Sequence, residues 1–441
     1  MITPVQVVDL IIEARWVVPV DPAGVVLDNY AVVVDHGRIV ALLPQSEAAG
    51  RFSARSRKNL DQHVLIPGLV NLHTHAAMSL LRGLADDLPL MEWLQQHVWP
   101  AEALHVSEQF VLDGTMLACA EMLRAGITCF NDMYFFPGAA AEAARAAGIR
   151  AVIGLITVDF PSNYATDADD YLAKGLAVRD QLLDEPLLSF CLAPHAPYTV
   201  SERSFSRVLT LAEQIELPIH LHLHETVQEI DDSLKRFGMR PIERLRRLGL
   251  LSPALIAVHA VHLEAYEIEL LAKHGCSVAH CPSSNLKLAS GIAPIAELFA
   301  KGINIGLGTD GAASNNRLDL LQEMRLAALL AKGRSGRADA INAHQVLRMA
   351  TLGGARALGL EACIGSISVG KAADLCAISI NDVALAPCYD PVSHLAYAVG
   401  REHVSDVWVG GRIRVESGQL VENNETGLIK LALLWQNKIR P

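Results

Sequence analysis

The chain has 441 residues and a formal net charge of −11, and 51% of its residues are hydrophobic while 19% are charged. This composition is typical of a folded globular enzyme with room for a barrel and a smaller second unit, and it excludes a disordered or fibrous chain. The acidic balance, without any Lys/Arg run, argues against nucleic acid or an anionic membrane as partner, because both require a basic patch.

The amino-terminal stretch Met1–Trp16 carries Asp9 and Glu13 among its apolar residues and has no basic segment, so we predict no signal peptide. No apolar run is long enough to span a bilayer. Eight scattered cysteines form no Cys-x-x-Cys pair, which is typical of free thiols in a reducing compartment. We therefore expect a cytoplasmic protein.

Both ends of the chain show short strand patterns. Residues 1–64 alternate apolar and polar positions around a turn at His36-Gly37, and residues 362–441 contain strand candidates at 373–378 and 404–409. We predict that the two ends pair into one small β-sandwich domain.

Residues 65–361 alternate short apolar runs with helical patterns, which predicts a (β/α)8 barrel of the TIM type. A doubly wound sheet is the alternative. The chemically reactive residues favour the barrel, because nearly all follow a strand candidate, where a barrel builds its active site. The strand candidates are Val64–Val70, Thr128–Met133, Ala151–Leu155, Leu188–Ala193, Pro218–Leu223, Ala254–His259, Ser277–His280 and Ile303–Leu307.

Histidines at alternate positions end two of these strands. His73 and His75 share one face of the first, because residues i and i+2 of a strand project to the same side. His220, His222 and His224 share a face of the fifth, so spacing alone does not say which of them binds a metal. Two strand ends rich in imidazole predict a transition-metal site, although an H-x-H motif alone is weak.

Other strand ends add candidates of different strength. Asp310 follows the eighth strand within a glycine-rich turn, as a ligand or as a helix N-cap. Glu225 lies beyond the fifth strand, from where it can turn over the site. His259 and His195 end or follow strands and are candidate site residues, whereas for His262 and His280 we favour packing roles.

Together these residues resemble the amidohydrolase superfamily, mononuclear subtype, and the similarity runs from Pro67–Asn71 to the segment 365–375. The resemblance implies that His73, His75, His222 and Asp310 bind one divalent metal, zinc by default, although iron(II) suits the same ligands. Its binuclear members have a bridging lysine on the fourth strand, which the segment 189–194 lacks here, so we expect one metal.

The same resemblance assigns catalytic roles. Glu225 would take a proton from the metal-activated water and deliver it to a ring nitrogen of the substrate. His259 and Asp310 would orient that water.

Within the superfamily, four segments resemble the 5-methylthioadenosine/S-adenosylhomocysteine deaminases, which deaminate adenine nucleosides and assemble as homo-oligomers. The likeness implies that Glu102 binds the ribose hydroxyls, that His195 contacts the nucleoside and that Trp93 lines the pocket; packing on the core is the alternative for Trp93. The four segments are 80–88, 92–94, 99–102 and 283–288.

One difference between this sequence and the family pattern bears on the choice of substrate. Family members that accept S-adenosylhomocysteine are expected to offer arginines after the third strand, but nothing basic lies between Arg150 and Lys174. Phe160 and Tyr164 suit an apolar methylthio group better, since a buried carboxylate without a cation is costly. We therefore favour 5'-methylthioadenosine, with adenosine as a further substrate. The alternatives are an s-triazine, guanine or cytosine hydrolase on the same scaffold, and, remotely, a non-catalytic scaffold protein.

Overall fold

Two eight-stranded sheets organise the chain, which the computed structural model describes over residues 5–422 and 424–440. Met1–Pro4, Asn423 and Pro441 lie outside the described residues, so the predicted terminal segments and the predicted absence of a signal peptide fall partly on them. Across the described ranges, none of the helices combines the length and the apolar character that crossing a membrane requires.

The first sheet joins the two ends of the chain, as predicted. Its strands are β1 (Gln6–Val17), β2 (Leu27–Asp35), β3 (Arg38–Pro44), β4 (Phe52–Pro67), β13 (Leu375–Ser379), β14 (Val404–Val409), β15 (Arg412–Glu416) and β16 (Gln419–Leu420). Strand β4 pairs antiparallel with β13, and the His36-Gly37 turn connects β2 to β3. A single sheet in the order β16-β15-β14-β13-β4-β1-β2-β3 thus forms the small β domain, with apolar clusters on both of its faces.

The second sheet is the predicted barrel, with eight parallel strands in sequence order. Its strands are almost wholly buried, because side chains fill the interior and helices cover the outside. They are β5 (Leu69–Thr74), β6 (Ile127–Tyr134), β7 (Arg150–Thr157), β8 (Leu188–Pro194), β9 (Ile219–Leu223), β10 (Leu255–His259), β11 (Ser277–His280) and β12 (Asn304–Leu307).

The seam between β5 and the end of β12 is held partly by a side chain. Asn71 accepts from the Thr309 backbone N–H at 2.9 Å and donates to the Thr309 hydroxyl at 2.8 Å. One residue further on, the Asp310 backbone N–H donates to the His73 carbonyl at 2.9 Å. The seam therefore brings Asp310 beside His73.

Helices follow the barrel strands, and several begin at a side-chain cap; Ser107, for example, accepts from the Phe110 backbone N–H at 3.2 Å. The α-helices are α1 (Gln45–Arg51), α2 (Leu90–Trp93), α3 (Trp99–His105), α4 (Glu108–Arg124), α5 (Pro137–Ala147), α6 (Ala168–Gln181), α7 (Glu202–Ile215), α8 (Val227–Phe237), α9 (Pro241–Arg247), α10 (Ala265–Lys273), α11 (Pro282–Lys287), α12 (Ile295–Ala300), α13 (Ala312–Asn315), α14 (Leu320–Ser335), α15 (Ala343–Arg348), α16 (Gly354–Ala357), α17 (Pro391–Tyr397) and α18 (Glu425–Ile439). Short 3-10 turns span Ala76–Leu81, Val383–Leu385 and Arg401–His403, and π turns span Leu94–Val98 and Met349–Gly353.

The predicted first barrel strand, Val64–Val70, is divided at Gly68. Residues up to Pro67 belong to β4 of the small domain, and the barrel strand begins at Leu69. Gly68 donates its backbone N–H to the Asp374 carbonyl, whereas Leu69 donates to the Gly126 carbonyl, so the chain changes sheets at this glycine. A Cβ atom at Gly68 would lie 2.0 Å from the Thr128 hydroxyl, so the crossing requires glycine.

A buried ion pair ties the barrel to the small domain. Arg150 at the start of β7 donates to both carboxylate oxygens of Asp374, at 3.0 and 3.2 Å, and also to the Pro186 carbonyl. Asp374 accepts the Gly410 backbone N–H as well, at 2.8 Å. Every charged oxygen thus has a partner, which is the condition under which a buried pair is tolerated.

Arg150→Met should therefore lower the free energy of unfolding by about 3–5 kcal/mol, because it leaves the Asp374 carboxylate buried without a counterion. Urea denaturation followed by circular dichroism measures the change. Arg55→Met is the matched control, since it removes the exposed 3.1 Å pair of Arg55 with Asp9 and should cost less than about 1 kcal/mol. Equal losses in the two variants would contradict this role for Arg150.

Candidate active site

Four side chains predicted as metal ligands meet at the carboxyl ends of the barrel strands. His73 is the next-to-last residue of β5 and is fully buried, and His75 directly follows that strand. His222 lies in β9, and Asp310 follows β12. The Nε2 atoms of His73 and His75 each lie 3.3 Å from Asp310 Oδ1. His222 Nε2 lies 3.3 Å from His73 Nε2.

The outward nitrogens of two of these imidazoles fix which ring atom faces the cluster. His75 Nδ1 is 2.6 Å from the Met133 carbonyl, and His222 Nδ1 is 2.8 Å from the His195 carbonyl. A carbonyl only accepts hydrogen bonds, so each Nδ1 carries the proton and donates it. In the neutral rings, both Nε2 atoms therefore present lone pairs to the centre.

This donor set fits a divalent metal. Ligand atoms held at about 2.0–2.1 Å in a tetrahedron stand about 3.3–3.4 Å apart, which matches the distances between the inward atoms. Burial lowers the pKa of His73 to about 4, so its ring is neutral near neutral pH. Neutral imidazoles and one carboxylate suit a borderline divalent cation.

Glu225 reaches the same cavity through a sharp turn after β9. His224 has a φ of +56°, and Glu229 of α8 accepts the backbone N–H groups of both His224 and Glu225, at 3.0 and 2.9 Å. Burial raises the pKa of the Glu225 carboxyl above its usual value. Its Oε2 lies 3.7 Å from His259 Nε2, so a proton acceptor and an imidazole face each other across a short gap.

Three further positioning contacts escaped prediction from the sequence. Asn285 Oδ1 lies 2.8 Å from His259 Nδ1, and the Ser284 hydroxyl donates to Asp310 Oδ2 at 2.6 Å. The third is made by Glu229, whose two carboxylate oxygens accept the backbone N–H groups of His224 and Glu225. Ser284 and Asn285 lie in the segment 283–288 that carried the family resemblance, which was the available signal, whereas nothing in the sequence distinguished Glu229 from a helix-surface acid.

The other strand-end histidines occupy different environments. His195 lines the cavity, and burial lowers its pKa to about 3. His262 is hydrogen-bonded to the Ser290 carbonyl at 2.6 Å and His280 is buried off the cavity wall, which agrees with packing roles. His224 is held by the His262 carbonyl and the Ile242 backbone N–H. Of the β9 histidines, only His222 thus presents a nitrogen to the cluster centre, since His220 lies behind His73.

A cavity of about 580 Å³ opens over the cluster. Glu102 of α3 lines it and accepts from the Tyr134 hydroxyl at 2.6 Å; burial raises the pKa of Glu102 to about 7. Trp93 also lines the cavity and packs against the core at the same time, so both interpretations of this residue hold. Much of the remaining wall is apolar, with Phe160 and Tyr164 among its residues.

No lysine or arginine is among the cavity-lining residues within 5–422 and 424–440. Lys174 is the first basic residue after Arg150 in the chain and would be a candidate to neutralise a substrate carboxylate. It donates to the Tyr164 carbonyl at 2.8 Å and pairs with Asp170 at 2.9 Å. Its charge is therefore already paired outside the cavity.

Comparisons with known proteins agree with this geometry. Residues 64–414 match the model of the amidohydrolase family. A 5-methylthioadenosine/S-adenosylhomocysteine deaminase from Saccharophagus degradans is 47% identical over 98% of this chain and 97% of its own. The crystal structure of an adenosine deaminase from Xanthomonas campestris with bound zinc is 49% identical, covers 99% of this chain and 100% of its own, and superposes with a TM-score of 0.98.

A more distant relative has the same fold. Atrazine chlorohydrolase from Arthrobacter aurescens, in complex with zinc, is 25% identical, covers 97% of this chain and 99% of its own, and has a TM-score of 0.89. The family model and the near-complete coverage by relatives confirm the family that the motifs predicted. This chain therefore belongs to the amidohydrolase family and is a metal-dependent hydrolase.

Proposed function

We propose that the protein deaminates adenine nucleosides hydrolytically, with 5'-methylthioadenosine as its preferred substrate. The observation that carries this proposal is one cavity that holds a metal-binding cluster, a buried carboxylate suited to ribose hydroxyls and an apolar wall without a basic residue. The names of the relatives support the same reaction.

His73, His75, His222 and Asp310 would hold one divalent ion, for which we propose zinc because two related structures contain it. When bound, zinc lowers the pKa of a coordinated water from ~15.7 toward ~7, which makes hydroxide accessible at neutral pH. Iron(II) would suit the same ligands.

The protein's own groups then move the protons. Glu225, whose pKa burial raises, accepts a proton from the attacking water and delivers it to N1 of the adenine, which makes C6 more electrophilic. His259 orients the water, and Asn285 fixes the orientation of the His259 ring. Asp310, whose position is fixed by Ser284, accepts the remaining water proton and passes it to the 6-amino group, so that the C6–N bond breaks and neutral ammonia leaves. Departure of ammonia leaves the inosine analogue.

Glu225→Gln should retain the metal and lose most turnover, by about 10²–10⁴-fold, because the amide fills the same space but cannot shuttle a proton. Ammonia release measures turnover, and elemental analysis measures the bound metal. Glu213→Gln on the exposed face of α7 is the matched control and should behave as wild type. Full activity of Glu225→Gln would show that Glu225 does not transfer a proton in the reaction.

Glu102 should make nucleoside binding depend on pH. Its pKa of about 7 means that the carboxyl becomes neutral as the pH falls through that value, so it loses its capacity to accept two ribose hydroxyls. We expect KM to rise by up to about tenfold per pH unit below about pH 7. A 2',3'-dideoxy substrate, which lacks those hydroxyls, should show no such rise. A KM for the full nucleoside that is flat across this range would contradict the role of Glu102.

The shape and charge of the cavity bear on the 5' substituent. S-adenosylhomocysteine carries a carboxylate on its extension, and desolvating it without a cation is unfavourable. The methylthio group is apolar and suits the wall that contains Phe160 and Tyr164. The protein should therefore discriminate between nucleosides by the charge of the 5' substituent rather than by its length.

The test compares ultraviolet absorbance loss for four nucleosides with metal-replete enzyme: 5'-methylthioadenosine, adenosine, S-adenosylhomocysteine and 5'-butylthioadenosine. We expect high kcat/KM for the methylthio and butylthio compounds and a low value for S-adenosylhomocysteine. Equal values for S-adenosylhomocysteine and 5'-butylthioadenosine would overturn the charge argument but keep the deaminase. No reaction with any nucleoside would favour the s-triazine, guanine and cytosine alternatives, which chloride or ammonia release from those compounds would identify.

A cytoplasmic location and assembly into a homo-oligomer complete the proposal. All eight cysteines are free, and six of them are buried, as is usual in a reducing compartment.

A further inference from the structure

His220 is in contact with one of the candidate metal ligands. Its Nε2 lies 3.0 Å from His73 Nδ1, and both side chains are fully buried inside the barrel. The corresponding Nδ1 atoms of His75 and His222 donate to backbone carbonyls. Among these three imidazole ligands, His73 is therefore the one whose outward nitrogen meets a side chain.

The hydrogen-bond donors of this pair follow from the position of the cluster. His73 Nε2 faces Asp310 Oδ1 and His222 Nε2, each at 3.3 Å, so it must present a lone pair there to bind a cation. The proton of the neutral ring is then on Nδ1 and is donated to His220 Nε2. His220 in turn carries its proton on Nδ1, an atom that has no hydrogen-bond partner among the described residues.

His220 differs from a nearby buried histidine in the kind of partner that its ring contacts. His224, four residues further along the chain and just beyond β9, pairs both ring nitrogens with backbone groups, the His262 carbonyl and the Ile242 N–H. His220 instead leaves a buried nitrogen unpaired while its other nitrogen contacts His73. An unpaired Nδ1 also occurs at His280, which packs outside the cavity, so the contact of His220 with His73 carries the inference.

We propose that His220 is a positioning residue that fixes the tautomer and ring orientation of His73, so that His73 Nε2 faces the metal. This inference rests on the proposed function in one respect, the assignment of His73 as a ligand. Without an acceptor at position 220, the His73 ring can place its proton on Nε2, and an N–H then points at the metal position. Partners of this kind typically change metal affinity by about 10–100-fold.

Two substitutions at His220 separate the effect of the hydrogen-bond acceptor from the effect of side-chain volume. His220→Gln offers an amide oxygen to His73 Nδ1, whereas His220→Leu fills similar space without an acceptor. Competition with a chromophoric chelator measures Zn²⁺ affinity, and circular dichroism of the metal-free proteins measures their stability. We expect His220→Leu to bind Zn²⁺ about 10–100-fold more weakly and His220→Gln to stay close to wild type. Wild-type affinity in His220→Leu would overturn the proposal, as would equal loss in both variants.

His224→Leu, just beyond the end of β9, is the matched control. It should lower the stability of the metal-free protein, because it removes two hydrogen bonds, but it should leave the Zn²⁺ affinity of the folded protein unchanged. An affinity loss equal to that of His220→Leu would mean that any buried histidine of β9 supports the site, which contradicts a specific role for His220.

A second readout needs no substitution. In Co²⁺-substituted wild-type protein, the proton NMR spectrum should contain three exchangeable, hyperfine-shifted N–H signals, one from Nδ1 of each imidazole ligand. His220→Gln should retain all three, and only two in the wild type would overturn the proposal even if His220→Leu does not fold. Failure of the wild type to bind Zn²⁺ or Co²⁺ would instead refute the proposed function, so the two failures are distinguishable.

Discussion

The site depends on one constraint: several buried nitrogen and oxygen lone pairs must point at the same place. Left alone, such groups repel one another and would rotate apart. The barrel prevents this in part because an outward atom of two candidate ligands is held by a neighbouring strand. The Met133 carbonyl at the end of β6 holds His75 of the β5 end, and the His195 carbonyl after β8 holds His222 of β9. The register of the parallel strands therefore sets the orientation of these imidazole rings, because it places a backbone carbonyl beside each Nδ1 atom.

The backbone at the strand ends is bent in a way that few residues adopt. His224, His259, Ala260 and Asp310 all have positive φ, between +48° and +71°. Each such non-glycine conformation is costly, by about 1–3 kcal/mol, and persists only where the surroundings enforce it. Glu229 does this for His224 through its two contacts with successive backbone N–H groups. The bends turn side chains over the cavity that a straight strand would direct elsewhere.

The small β domain positions barrel strands and does not take part in the chemistry of the site. The chain passes from β4 to β5 at Gly68, so the first ligand strand begins where the two sheets meet. The Asp374 backbone carbonyl accepts from Gly68, and its carboxylate pairs with Arg150 at the start of β7. One residue of the small domain thus anchors two barrel strands at the end of the barrel opposite to the site.

Much of this was readable from the sequence, because the signals are local. Apolar runs alternating with helical patterns predicted the barrel, strand patterns at both ends predicted the shared sheet, and the position of His73, His75 and Asp310 after strands predicted where the ligands meet. The start of the first barrel strand was misplaced, since an apolar run that crosses from one sheet to another has no break in its pattern except the glycine.

Only the tertiary structure distinguished the three histidines predicted on the fifth strand, of which His220 and His222 lie in β9 and His224 lies just beyond it. They share one face at two-residue spacing, so the sequence assigns them the same direction. Their different roles come from how far along the strand each lies relative to the neighbouring strands: His222 is level with the cluster, His220 lies beneath it against His73, and His224 lies beyond it. The supporting contacts of Glu229 and Asn285 were equally hidden, because they join residues on separate elements. The local pattern thus determined which strands carry the candidate ligands, while the stagger between strands decided which atom of which ring reaches the centre of the cluster.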